Sequence, residues 1–169
     1  MTKQEFLDVV TNGGSGVLKK VLLLLKRTHT DYCVIGGLAV NAYAEPVVSL
    51  DLDIVIVTKS LEPFLHEASE EFKVSTFPHS VNLMARKSDL RIQLQTDPRY
   101  QEFISRAVRK KVLGLPMKVA SLPDVFQGKL WACSDERRRK SKRQKDLADI
   151  YRLIEGHPHL KQKLPKSMK

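Results

Sequence analysis

Residues 32–57, YCVIGGLAVNAYAEPVVSLDLDIVIV, decide the fold. An apolar run ends in Gly36-Gly37. A short helix-like segment follows, and a second apolar run then contains two carboxylates, Asp51 and Asp53. Side chains alternate along a strand, so Asp51 and Asp53 share one face. Two like charges on a buried sheet face are costly unless a cation joins them. A divalent metal meets that need most simply, and paired carboxylates with a metal are the equipment of phosphoryl transfer. Gly36-Gly37 falls where a strand over 32–35 turns into a helix over 38–44. Glycine lets the backbone pass close to a ligand, and a helix N-terminus offers free N–H groups with a partial positive charge. The stretch therefore reads as a triphosphate seat beside a carboxylate pair for the metal. An Asp-x-Asp or a Gly-Gly alone says little; the order strand, glycines, helix, strand gives the combination its meaning.

The rest of the chain bounds this reading. At 169 residues it suits a single domain with a core of useful size. We expect N-terminal helices over 1–30, an α/β core over 31–120, a helical pair over 121–156 and a loose basic tail over 157–169. The longest aliphatic run, Val21 to Leu25, is flanked by lysines and too short for a membrane span. The N-terminus MTKQEFLDVV is polar and amphipathic, so no signal peptide is expected. Cys33 and Cys133 are far apart in apolar surroundings, which suits reduced thiols in a cytoplasmic protein. Ser80 and Ser121 have no His/Asp neighbours of the kind a hydrolase triad needs.

The net charge is +10 and uneven. Residues 136–145, ERRRKSKRQK, carry seven basic residues and one acid. Residues 161–169 add four lysines, and Arg106, Arg109, Lys110 and Lys111 form a smaller cluster. Such a field favours polyanions, nucleic acid first among them. No aromatic interrupts the long basic run, so Arg137, Arg138, Arg139, Lys140, Lys142 and Arg143 suit phosphate contacts rather than base stacking. For any one cluster, a solvated helix face is an equally good account.

Periodicity gives the elements. Helices are expected over 3–10 and 16–28, and strands over 32–35 and 50–57. A helix over 61–72 turns Phe64 and Leu65 inward, and a strand follows over 72–77. A hairpin pairs 81–85 with 90–95. Pro98 opens a helix reaching Val108, and residues 112–120 are extended. Ser121 caps a helix to about Ala132. The last helix, about 135–154, carries the apolar stripe Leu147, Ile150, Tyr151 and Ile154. Trp131 and Tyr151 are expected in the core.

Three pieces together resemble the nucleotidyltransferase superfamily with the polymerase-beta-like fold, and within it the toxins of bacterial abortive-infection toxin–antitoxin systems. They are Val34-Ile35-Gly36-Gly37-Leu38-Ala39, then Ser49-Leu50-Asp51-Leu52-Asp53, and Gly128-Lys129-Leu130-Trp131-Ala132 followed by Arg143-Gln144-Lys145-Asp146-Leu147-Ala148-Asp149-Ile150. The resemblance covers roughly 32–153. It implies an α/β fold, a small mixed sheet flanked by helices and closed by a C-terminal helical pair. It also implies transfer of a nucleoside monophosphate from a triphosphate to an acceptor hydroxyl. Asp51 and Asp53 would hold Mg2+. Gly36, Gly37, Ser49, Lys129 and Lys145 would contact the nucleotide. Lys129 would offset phosphate charge as pyrophosphate leaves, with Asp146 and Asp149 in support. RNA, with a tRNA end first, is the expected acceptor; a protein side chain or a small molecule is the other choice. A cognate antitoxin is an expected partner.

Two departures from the family pattern stand out. A third carboxylate is usual on a later strand, and here the aligned position holds Gln93, which can ligate through oxygen but is a poor base. An Arg-x-Thr is usual before the pair, and here the residues are Val47-Val48-Ser49. A degenerate member that binds nucleotide or RNA without turnover is the alternative expectation.

Overall fold

The computed structural model describes residues 1–169. Two helices, α1 (Lys3–Thr11) and α2 (Gly14–Arg27), lead into β1 (Tyr32–Ile35) and the short α3 (Gly36–Val40). Next come β2 (Asp51–Ile56), α4 (Thr58–Ala68), β3 (Lys73–Phe77), β4 (Ser80–Met84) and β5 (Arg91–Gln95). A 3-10 segment, Pro98–Arg106, precedes the hairpin of β6 (Val108–Val112) and β7 (Leu115–Val119). The chain ends with α5 (Leu122–Ser134), α6 (Lys140–Gly156) and 3-10 turns at Pro158–Lys163 and Lys166–Met168. No helix is long and apolar enough to cross a membrane.

All seven strands form one mixed sheet in the order β3-β4-β5-β2-β1-β7-β6. β2 runs antiparallel to β1 and parallel to β5, and β1 runs parallel to β7. Leu52, Ile54 and Ile56 point to one face of β2. They share an apolar core with Leu18, Val21 and Leu25 of α2 and Phe64 of α4. Asp51 and Asp53 point to the other face, over which α5 and α6 pack together and reach α3. The Ser121 hydroxyl caps α5 by accepting from the Asp124 N–H. Leu113 and Gly114, both at positive φ, turn the β6–β7 hairpin tightly.

Several elements differ from the sequence expectation, each for a physical reason. The helix after Gly37 spans only 36–40, and turns fill 41–45. The segment from Pro98 is a 3-10 helix that stops at Arg106, and Val108 belongs to β6. Strand β6, VRKKV, keeps only Val112 buried; an edge strand studded with cations carries no apolar alternation to read. In α6 the buried face is Asp146, Asp149, Ile150 and Leu153, while Tyr151 is half exposed. Two carboxylates occupy the inward stripe because cations from neighbouring elements neutralise them. Residues 157–169 are no loose tail: Leu160 and Leu164 are buried in the core cluster.

Candidate active site

The site begins with β2, which sets Asp51 and Asp53 side by side on its open face. The parallel register with β5 puts Arg91 opposite Asp51 and Gln93 opposite Asp53. On the other flank Ile35 pairs with Asp53, so the turn into α3 begins beside that carboxylate. Gly36 has φ +71°, and a Cβ there would land on the Asp53 carboxylate. This position therefore needs glycine twice over, for backbone conformation and for space.

These residues floor a cleft of about 150 Å³, walled by Lys129 of α5 and by Asp146 and Lys142 of α6. Lys129 is almost fully buried. Its Nζ lies 3.0 Å from Asp146 Oδ1 and 2.8 Å from Asp149 Oδ2. Arg138 Nε donates to Asp146 Oδ2 at 2.7 Å, and Arg152 donates to Asp149 Oδ1 at 2.8 Å. Burial alone would lower the Lys129 pKa, but Asp149 and Asp146 outweigh it and the net shift is upward. Lys129 therefore stays a cation at the wall of the cleft.

The two floor carboxylates are in different states. Asp51 is ion-paired twice, with Arg91 Nε at 2.7 Å and Lys142 Nζ at 3.2 Å. The Asp53 carboxylate makes no hydrogen bond or ion pair. Burial, partly opposed by Lys129 and reinforced by Asp51, pushes its pKa up to about 6. An under-compensated carboxylate beside a second one suits a cation. Nowhere do three or more His, Cys, Asp or Glu side chains converge as a ready metal cage. The residues present fit one divalent ion on Asp51 and Asp53, with Gln93 able to add an uncharged oxygen.

Beside the cleft, Tyr100, Phe103 and Trp131 form an aromatic cluster, with Phe103 and Trp131 stacked 5.7 Å apart. Tyr100 and Phe103 also line the cleft. Arg99 lies over the Trp131 ring at 4.8 Å and is tied to Asp97.

The fold thus gathers Gly36, Asp51, Asp53, Gln93, Lys129 and Asp146 at one cleft, with Asp149 behind Lys129. Ser49 is buried; its hydroxyl bonds to the Asp51 backbone, and a Cβ on Gly37 would touch it at 3.1 Å. It therefore braces the Gly37 turn and does not line the cleft. Lys145 is exposed outside the cleft, and Lys142, three residues earlier on α6, lines it. Of the basic run, Arg137, Arg139 and Lys140 are exposed, whereas Arg138 and Lys142 face the cleft and Arg143 donates to the Cys133 carbonyl. Sequence reading missed Arg91 and Arg152. Arg91 meets Asp51 only through strand register, and Arg152 reaches Asp149 and Asn41 only once α6 is docked. Neither has a local signal.

Known proteins bear on this arrangement in three ways. No curated protein matches the sequence. Among solved structures, the lincosamide antibiotic adenylyltransferase LnuA with lincomycin bound is 10% identical at a TM-score of 0.57, covering 80% of this chain and 95% of its own. ANT(2'')-Ia in complex with adenylyl-2''-tobramycin is 13% identical at 0.57, covering 83% and 87%. A candidate nucleotidyltransferase from Thermotoga maritima is 18% identical at 0.58, covering 88% and 96%. At these identities the likeness is one of fold. A family model described as nucleotidyl transferase AbiEii toxin, type IV toxin–antitoxin system, matches residues 25–168, so the chain belongs to the AbiEii nucleotidyltransferase family.

Proposed function

We propose that the protein is a magnesium-dependent nucleotidyltransferase that moves a nucleoside monophosphate from a triphosphate to an acceptor hydroxyl. The observation that carries this reading is the Asp51/Asp53 pair on a cleft floor, with the buried cation Lys129 at its wall. The acceptor oxygen attacks the α-phosphorus, a new P–O bond forms, and the bond to the β-phosphate oxygen breaks to release pyrophosphate. Bound at Asp51 and Asp53, Mg2+ supplies charge stabilisation to this transfer. Lys129 offers a fixed positive charge where the phosphates crowd, and its two carboxylate partners hold it in place. Gly36 leaves room for the backbone and Asp53 to approach the ligand together. With Asp51 and Asp53 both given to the ion, the acceptor proton leaves to water at the cleft mouth, since the remaining strand position is the weakly basic Gln93.

An RNA end is the acceptor we favour. Arg137, Arg139 and Lys140 stand exposed next to the cleft-lining Arg138 and Lys142, where a phosphate backbone would be held with its terminal hydroxyl near Asp53. A toxin role under a cognate antitoxin follows the family's description and is part of the same proposal. Gln93 supports a second reading, binding without turnover, because it removes one carboxylate from the floor.

Calorimetric titration of the four nucleoside triphosphates, with and without Mg2+, tests the first reading. We expect Mg2+-dependent binding of at least one, lost in Asp51→Ala, and transfer of its labelled monophosphate to cellular RNA. Binding without transfer to RNA, protein or small molecules would favour the second reading. No triphosphate binding under any condition would remove the first reading and reduce the second to RNA binding by the basic surface.

A further inference from the structure

We propose that Lys142 is a triphosphate-binding residue parked on Asp51, and that it moves from carboxylate to phosphate when the metal-bound nucleotide enters. The inference rests on the nucleotidyltransferase reading above and concerns the same cleft.

Four observations carry it. First, Lys142 crosses from the first turn of α6 to Asp51 Oδ2 at 3.2 Å, while Arg91 holds Asp51 Oδ1 at 2.7 Å. Both oxygens of one of the two carboxylates available to a metal are therefore already bound by protein cations. A divalent ion entering on Asp51 brings a second positive charge to a carboxylate that Lys142 and Arg91 already hold, and the repulsion between the cations favours release of Lys142. Second, within the cleft the released ammonium meets no unclaimed carboxylate. Asp146 is shared by Lys129 and Arg138, Asp149 by Lys129 and Arg152, and Asp124 is held by Arg106. The strand position that could offer one is Gln93. Asp53 would be taken by the ion. The anion left to meet Lys142 is the triphosphate that arrives with the metal.

Third, the cleft is only about 150 Å³, below the roughly 300–1,000 Å³ of ordinary ligand sites. The Lys142–Asp51 bridge spans it, so its release both widens the cleft and frees a donor. Fourth, the first turn of α6 holds no acid and no side-chain cap, so nothing there repels a phosphate. Lys142 is about a quarter exposed and Arg91 about half, so each can turn without disturbing the core. Arg91 is the second candidate for the same exchange.

The exchange has a signature that a structural ion pair lacks: two affinities must move in opposite directions. Mn2+ binding alone and binding of ATP, GTP, CTP and UTP with Mn2+ are measured by calorimetry for the wild type, Lys142→Met, Arg91→Met and Lys59→Met. Removing the competitor in Lys142→Met should tighten Mn2+ alone by about 2–5-fold, the worth of a partly exposed ion pair. The same change should weaken the bound triphosphate by about 10-fold or more, the worth of a hydrogen bond to a charged group. Lys59→Met, exposed on α4 across the sheet from the cleft, should move neither constant. Circular dichroism checks that each variant is folded. Should Lys142→Met fail to fold, Lys142→Arg should keep triphosphate affinity within a few-fold of the wild type while Lys142→Gln loses it. The proposal is overturned if both constants move the same way, or if Mn2+ tightens while the triphosphate is unaffected. A wild type that binds neither Mn2+ nor any triphosphate would sink the nucleotidyltransferase reading along with it.

Discussion

Asp51 and Asp53 differ by two residues in sequence and by everything in environment. Asp51 has two cations on it, and Asp53 has none, so burial pushes its pKa up from the ordinary 3.8 to about 6. The sign of the consequence follows from linkage. Between these values the folded state binds a proton that the unfolded state has already lost. The stability associated with Asp53 is therefore complete below about pH 4 and is lost as pH rises through 6. Asp53→Asn removes that loss. In EDTA, the variant should be about 1–3 kcal/mol more stable than the wild type at pH 8 and nearly equal to it at pH 4, by urea denaturation. An equal gap at both pH values would mean that burial of the charge is not what shifts Asp53. Gly36 is the companion case. Gly36→Ala must place a Cβ at φ +71° against the Asp53 carboxylate. We expect a loss of about 1–3 kcal/mol in stability and a marked loss of Mn2+ affinity, since the carboxylate has to move.

At the scale of elements, the pair α5–α6 is held by a buried charge network as much as by apolar contact. Lys129 sits between Asp146 and Asp149, and each carboxylate takes an arginine on its outer side. Removing the central cation strands two buried anions 17 and 20 residues along the chain from it. Lys129→Met should cost about 3–5 kcal/mol, and adding Asp149→Asn should recover part of the loss, a coupling read from urea melts of the single and double variants. The same network explains what could be read in the sequence. β1 and β2 were legible because an apolar run broken by paired carboxylates has one strand face to put them on. The inward face of α6 was not, because hydrophobic periodicity counts Asp146 and Asp149 as outward residues and promotes Leu147 and Tyr151 in their place. What reverses the count is Lys129 and Arg138, and their approach is a tertiary fact. Register hides Arg91 in the same way: it stands 40 residues beyond Asp51 and meets it only because β2 and β5 are parallel neighbours.

At the scale of the whole molecule, the +10 charge is divided by the fold into two populations. Arg91, Arg138, Lys142 and Lys129 are spent on carboxylates within the cleft, and they could not be told from the others by composition. Arg137, Arg139 and Lys140 are exposed beside it. If an RNA end is the acceptor, the two groups must affect different steps. Each exposed cation that neutralises a phosphate releases counterions, which contributes about −0.7 to the slope of log affinity against log salt for single strands. Replacing Arg137, Arg139 and Lys140 together by alanine should therefore flatten that slope by about 2 and weaken RNA binding most at low salt. Magnesium-dependent triphosphate binding should be unchanged, because none of the three faces the cleft. Filter binding of a tRNA pool at four salt concentrations, with calorimetry of the triphosphate alongside, checks both halves. An unchanged slope would move the acceptor away from nucleic acid, toward a protein hydroxyl or a small molecule, and would leave the cleft chemistry where Asp51 and Asp53 put it.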